Sequence, residues 1–157
     1  CDLQNVAEVK KYWFLGNSTH VVDLVFYLCG VPQDWNSWHS GSLDWHPSAS
    51  RFSGAGVTNK GVLFSYLADW EAPGRWGIEV MTHRHRLIFR PMEQLHVTET
   101  GSVKVNQVKI DDQLDLTFKP GLYLQTEAFL SKNTKNLCSL NEQLEHTKFY
   151  SQIAGYV

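Results

Sequence analysis

The chain has 157 residues and a mass of 18.0 kDa, with 43% hydrophobic and 19% charged residues, the balance of one globular domain that can bury a core without a metal or a disulfide. Fourteen Lys and Arg against sixteen Asp and Glu leave a formal charge of −2, which provides no electrostatic footprint for a nucleic acid or an anionic membrane. The three cysteines, Cys1, Cys29 and Cys138, are odd in number, lack C-x-x-C spacing and fit a reducing, cytoplasmic compartment.

The start, Cys1-Asp2-Leu3-Gln4, has neither an initiator Met nor a basic segment followed by an apolar one, so a fragment without a signal peptide is expected. Up to Phe14, the spacing of Val6, Val9, Tyr12 and Trp13 allows a short amphipathic helix. Asn17, Ser18 and Thr19 are residues that cap helix starts, and the apolar run behind them ends at Gly30, which predicts a helix over 18–29. Val21 to Val31 is the longest apolar run, but Asp23 interrupts it and it is too short to span a bilayer. Val21, Val22, Leu24, Val25, Phe26 and Leu28 wrap most of the predicted helix, leaving His20 and Asp23 as its polar breaks.

From Pro32 to Val108 the period turns towards two, and strands are expected near 34–42, 51–57, 61–70, 75–82, 85–90, 94–99 and 103–109. Turns at Thr58-Asn59-Lys60-Gly61, Glu71-Ala72-Pro73-Gly74 and Thr100-Gly101 join them, so successive strands pair antiparallel. Alternation puts Trp76, Ile78 and Val80 on one face and Arg75 and Glu79 on the other. Beyond Asp112 a helix is expected after Pro120, and another from Ser139 to Ala154. The helices can cover the apolar sheet face. The expected fold class is therefore α+β, a mostly antiparallel open-faced sheet with helices on one face, in a single domain over residues 1–157.

His83 and His85, at i and i+2, share a strand face as zinc ligands do, but no Asp, Glu or Cys completes the set, and a solvated strand end is the better reading. His39, His46, His96 and His146 read as ordinary surface or half-buried histidines. No metal is expected. No G-x-S-x-G elbow supports a serine hydrolase. Gly54, Gly56 and Gly61 lie between strand-like segments and open no helix, so no dinucleotide fingerprint is present and no cofactor-binding residue is assigned. Trp35, Trp38 and Trp45 in one strand-rich region predict an aromatic surface and self-association. His20 has two readings: an acid/base group held neutral by the positive end of the helix, or a satisfied core histidine.

The run Asn17-Ser18-Thr19-His20-Val21-Val22-Asp23-Leu24-Val25-Phe26-Tyr27-Leu28-Cys29-Gly30 resembles the H-x-x-D helix of the Gfo/Idh/MocA oxidoreductases. The resemblance continues in order through Gly61-Val62-Leu63-Phe64-Ser65-Tyr66, Trp70-Glu71-Ala72-Pro73-Gly74-Arg75-Trp76, Arg90-Pro91-Met92-Glu93-Gln94-Leu95 and Phe118-Lys119-Pro120-Gly121. It covers nearly the whole chain and is similar only to the C-terminal domain of that family.

What the resemblance implies is a substrate-binding and oligomerisation domain of an oxidoreductase acting on a sugar, a nucleotide sugar or a polyol. NAD or NADP would be bound by an N-terminal Rossmann domain outside this chain, and the isolated chain would be inactive. The family's catalytic histidine maps onto His20, and substrate contacts are implied for Asn17, Asp23, Arg75 and Trp76. The Asp that many members carry four residues before the histidine is Gly16 here, followed by Asn17, which can hydrogen-bond but cannot take a proton. The alternative from another class is a non-enzymatic module that binds a carbohydrate or a protein. Neither reading requires a nucleic acid or a membrane.

Overall fold

A computed structural model describes residues 6–156; Cys1 and the first residues of the possible N-terminal helix lie outside them. Among the described residues the fold is α+β, with six helices and seven strands in two antiparallel sheets. The helices are α1 (Ala7–Lys11), α2 (Trp13–Asn17), α3 (Thr19–Cys29), α4 (Gln113–Thr117), α5 (Leu122–Leu130) and α6 (Leu140–Ala154). The strands are β1 (Pro32–Ser40), β2 (Arg51–Thr58), β3 (Leu63–Asp69), β4 (Ile78–Met81), β5 (His85–Phe89), β6 (Leu95–Glu99) and β7 (Asn106–Gln107). No helix among them is long and apolar enough to cross a membrane.

The chain divides into two compact units, one taking the described residues up to Gly74 and from Gln143 on, the other Arg75–Glu142. The seven strands accordingly form a three-stranded sheet in the order β1-β2-β3 and a four-stranded sheet in the order β4-β5-β6-β7. The Glu71–Gly74 turn ends one sheet instead of continuing it.

In the first unit, strand register sorts the side chains. Trp35, Gly56 and Phe64 stand in one row, Ser37, Gly54 and Tyr66 in the next, and His39, Phe52 and Ala68 in the third. This face meets the helices: Phe14, Phe26, Ala49, Phe52, Tyr150, Ile153 and Ala154 form the buried core, with Trp35, Tyr66, Trp70 and Phe149 packed against it. Glycine is needed at two core-facing positions, since a Cβ at Gly54 would run into the Tyr66 ring and one at Gly56 into Trp35. Each missing side chain makes room for a cross-strand aromatic. The opposite face carries Trp38, Ser53 and Leu67 in one row, and Trp38 and Leu67 are 59% and 84% exposed.

The second unit pairs Ile78 with Phe89 and Val80 with Leu87, and Ile78 is its buried residue. The alternation expected for Ile78 and Val80 holds, but the strand starts at Ile78, so Arg75 and Trp76 precede it. His83 is not on a strand face: Thr82 and His85 close a hairpin, with the Thr82 N–H donating to the His85 carbonyl at 2.8 Å, and His83 and Arg84 form its tip. The i, i+2 facing that a metal pair needs is thereby absent from the tip. Neither α4 nor α5 has a buried residue.

Candidate functional site

Helix α3 does not begin where its sequence signals place it. Ser18 is itself helical (φ −78°, ψ −17°) and makes no side-chain cap. The Ser18 N–H donates to the Phe14 carbonyl at 2.9 Å, the Val22 N–H to the Ser18 carbonyl at 3.3 Å, and the Thr19 hydroxyl to the Leu15 carbonyl at 2.9 Å. A hydroxyl bonded four residues back is an intrahelical bond, not a cap. Helix α2 therefore runs almost directly into α3, and His20 does not sit at an open helix start with unpaired N–H groups ahead of it. The dipole argument for a neutral His20 loses its premise. The ring is exposed, which also removes the core-histidine reading.

The near-continuous helix puts Asn17, His20 and Asp23 one turn apart on one side. Asn17 is half-buried as the last residue of α2. Asp23 turns to α6, where its Oδ1 accepts the Tyr150 hydroxyl at 3.0 Å and a hydrogen bond from His146 Nδ1 at 3.0 Å. Tyr150 is 1% exposed. Asp23 thus clasps α3 to α6 through one oxygen, with its side chain 40% exposed. His146 is half-buried as expected, but it is tied to Asp23 and also meets Phe26 edge-on at 5.0 Å. Arg75 and Trp76 are exposed residues of the other unit, in the irregular segment before β4.

The end of the unit that His20 occupies follows from contacts at both ends of the helix. The C-terminal end of α3 is pinned to the β2–β3 turn, where the buried Thr58 hydroxyl donates to the Cys29 carbonyl at 2.8 Å and the Asn59 N–H to the Val31 carbonyl at 2.9 Å. Gly30, at φ +88°, makes the passage between them, and a Cβ there would strike Asn59. Eleven residues at 1.5 Å each carry α3 about 16 Å away from that turn. At the far end Phe14 of α2 packs its ring on Phe52 at 5.6 Å and stacks on Trp70 at 6.3 Å, where β2 starts and β3 ends. His20 lies within two helical turns of Phe14, so it belongs to the end of the unit formed by the β1–β2 loop and the outlet of β3.

That loop is built around a residue which sequence reading placed at or near the surface. His46 is fully buried. Its Nδ1 lies 2.6 Å from the Ala49 carbonyl, a pure acceptor, so Nδ1 carries the hydrogen. Nε2 then accepts the Tyr156 hydroxyl at 2.7 Å, and the Tyr156 oxygen in turn accepts the Phe14 N–H at 3.2 Å. Burial lowers the His46 pKa from its ordinary 6.5 and pushes Tyr156 up to about 12. The ring is neutral at pH 7 and holds three separate segments together.

His46 also supports two tryptophans. It meets Trp70 edge-on at 4.7 Å, and Trp45 lies parallel to Trp70, with centroids 5.6 Å apart and 9° between planes. Trp45 sits at the tip of a tight turn closed by two backbone bonds between Leu43 and His46, of 3.1 and 2.9 Å. On the outer sheet face, where the register sets Arg51 opposite Asp69, Arg51 reaches Asp69 at 3.2 Å and Glu71 at 2.9 Å, and the Ser50 hydroxyl donates to Glu71 at 2.8 Å. The backbone N–H of Glu71 holds the Asp69 carboxyl below its usual range, with Arg51 adding to the effect. A strand-breaking Asp-Trp-His-Pro run was the signal available in the sequence for this loop.

Among the described residues, the strand-to-helix connection over 108–112 contains no glycine, Gly30 joins a helix to a strand, and Gly121 lies between two helices. These residues do not fit a dinucleotide pyrophosphate, which needs a glycine-rich turn opening a helix. Comparison with protein-family models, with curated proteins and with solved structures returns no match for this chain.

Proposed function

We propose that the chain is the substrate-binding and oligomerisation part of an NAD(P)-dependent oxidoreductase acting on a sugar, a nucleotide sugar or a polyol, of the Gfo/Idh/MocA kind that its sequence resembles. The observation carrying the reading is His20: the residue at the family's histidine position is an exposed imidazole at the end of the first unit where the loops gather. The α+β architecture and the open face of the β1–β3 sheet are compatible with it.

In this reading the nicotinamide is held by a separate Rossmann domain, and no step through it is assigned to the residues described. His20 takes the proton of a substrate hydroxyl as the carbinol is oxidised and returns it in the reverse direction. Asn17, one turn before it, offers a hydrogen bond to a neighbouring hydroxyl. Asp23 braces α3 through Tyr150 and His146 at Oδ1, and its part-exposed side chain leaves room for the substrate contact of this reading.

The test is turnover by the full-length protein with NAD and NADP against sugars, sugar alcohols and nucleotide sugars, followed by nicotinamide absorbance. Reduction that depends on one of these substrates is expected. Saturable binding of a sugar or a protein partner with no turnover on any of them would replace the reading with a non-enzymatic binding module, which the exposed Trp38 on the open sheet face favours.

A further inference from the structure

We infer that Trp45, backed by Trp70, is a stacking platform for the C–H face of a neutral pyranose ring, a substrate subsite at the His20 end of the first unit. The inference deepens the sugar-binding reading above and rests on it for the identity of the ligand.

Four features carry it. The first is that Trp45 is 40% exposed while one face of its ring is stacked on Trp70, at 5.6 Å and 9°. With one face stacked, the exposed area falls on the other face and the edges of the ring. The second is rigidity. Trp70 is fixed by His46 at 4.7 Å and Phe52 at 4.9 Å, while the two Leu43–His46 backbone bonds hold the turn that carries Trp45. Such a face loses little conformational entropy when a ligand settles on it.

The third is charge. Arg51, the one Lys or Arg between residues 12 and 59, is already paired with Asp69 at 3.2 Å and Glu71 at 2.9 Å on the outer sheet face. It is therefore not left to hold a phosphate or a carboxylate over Trp45, and a neutral ring needs no such partner. A single indole face is far smaller than a stable protein interface, but it matches one sugar ring. The fourth is position. The platform and His20 lie at the same end, because Phe14 of α2 packs on Trp70 and α2 leads directly into α3.

The experiment uses the full-length protein, calorimetry and tryptophan fluorescence, with methyl glucopyranoside as the neutral ring, sorbitol as a polyol lacking a ring face, and glucose 6-phosphate as the charged ring. Methyl glucopyranoside is expected to bind more tightly than either. Trp45→Ala should weaken it roughly tenfold, the loss of one stacking contact. Trp45→Phe, which keeps a ring, should retain most of the affinity. Thermal melts of each variant separate loss of binding from loss of fold.

The inference is overturned if no pyranoside binds the wild type at millimolar concentration, or if folded Trp45→Ala binds as tightly as the wild type. Trp45-dependent binding without turnover would leave the platform standing and remove the oxidoreductase reading. Turnover whose KM ignores Trp45→Ala would do the reverse.

Discussion

His46 ties its neighbours together while remaining neutral, and that makes the first unit sensitive to acid. As an imidazolium it would donate from both nitrogens, so the Tyr156 hydroxyl would lose its acceptor and a charge would enter an aromatic cage. Its folded pKa lies below the ordinary 6.5, so the unfolded chain binds the proton more readily. Its contribution is therefore complete above about pH 6.5 and is lost as pH falls from there towards the folded pKa. Chemical denaturation across that range should give a falling midpoint in the wild type and a flatter profile in His46→Gln. Parallel profiles would mean that His46 takes no proton on unfolding in this window. His20, by contrast, is exposed and outside the core. In the proposed reaction, His20→Ala in the full-length protein should lower kcat by roughly 10²–10⁴-fold, with little change in melting temperature because the residue is exposed. Unchanged single-turnover hydride transfer would take His20 out of the reaction.

Helices α3 and α6 owe their pairing to aromatic rings with one polar clasp among them. Phe26 stacks on Tyr150 at 6.0 Å and meets Phe149 edge-on at 5.5 Å, and the Tyr150 hydroxyl reaches past this contact to Asp23. Tyr150→Phe keeps the ring and deletes the bond, so unfolding stability should drop by about 1–2 kcal/mol, the cost of an unmet hydrogen bond at a partly exposed carboxylate. Urea denaturation measures it, and an unchanged midpoint would mean that the rings alone hold the helices. Strand ends were legible to within a few residues, since β2 was expected at 51–57 and forms over Arg51–Thr58. Alternation and turn residues are local signals. Helix α4 was not anticipated, because five residues without a side-chain cap leave little pattern to read.

At the scale of the molecule, the first unit brings an apolar surface to solvent. On the outer face of the β1–β3 sheet, Leu63 and Leu67 are 83% and 84% exposed and Trp38 is 59% exposed. Scattered apolar residues are ordinary, but three on one sheet face form a patch of the kind monomers rarely leave open. Trp35, counted with Trp38 and Trp45 as surface, instead packs inward opposite Gly56, and Trp45 belongs to the β1–β2 loop. Self-association through this face is expected, and sedimentation at micromolar concentration should give a dimer or larger species that Leu67→Glu returns to monomer. A monomeric wild type would assign the patch another role.

The α+β class, the antiparallel pairing, the helix over α3 and the exclusion of a membrane-spanning helix were all written in composition and in periodicities of two and 3.6, which act between neighbours in the chain. The cap signal at Asn17-Ser18-Thr19 misled because a helix already in progress uses those side chains differently, and whether α2 precedes α3 in line is set by Phe14 packing on Phe52 and Trp70. The burial of His46, the clasp at Asp23 and the stacking of Trp45 on Trp70 each join residues far apart in sequence, Tyr156 to His46 across 110 positions and Tyr150 to Asp23 across 127. Such contacts leave no local period. Their energy comes from satisfying buried polar groups and filling space between elements, and these quantities exist only once the elements have met.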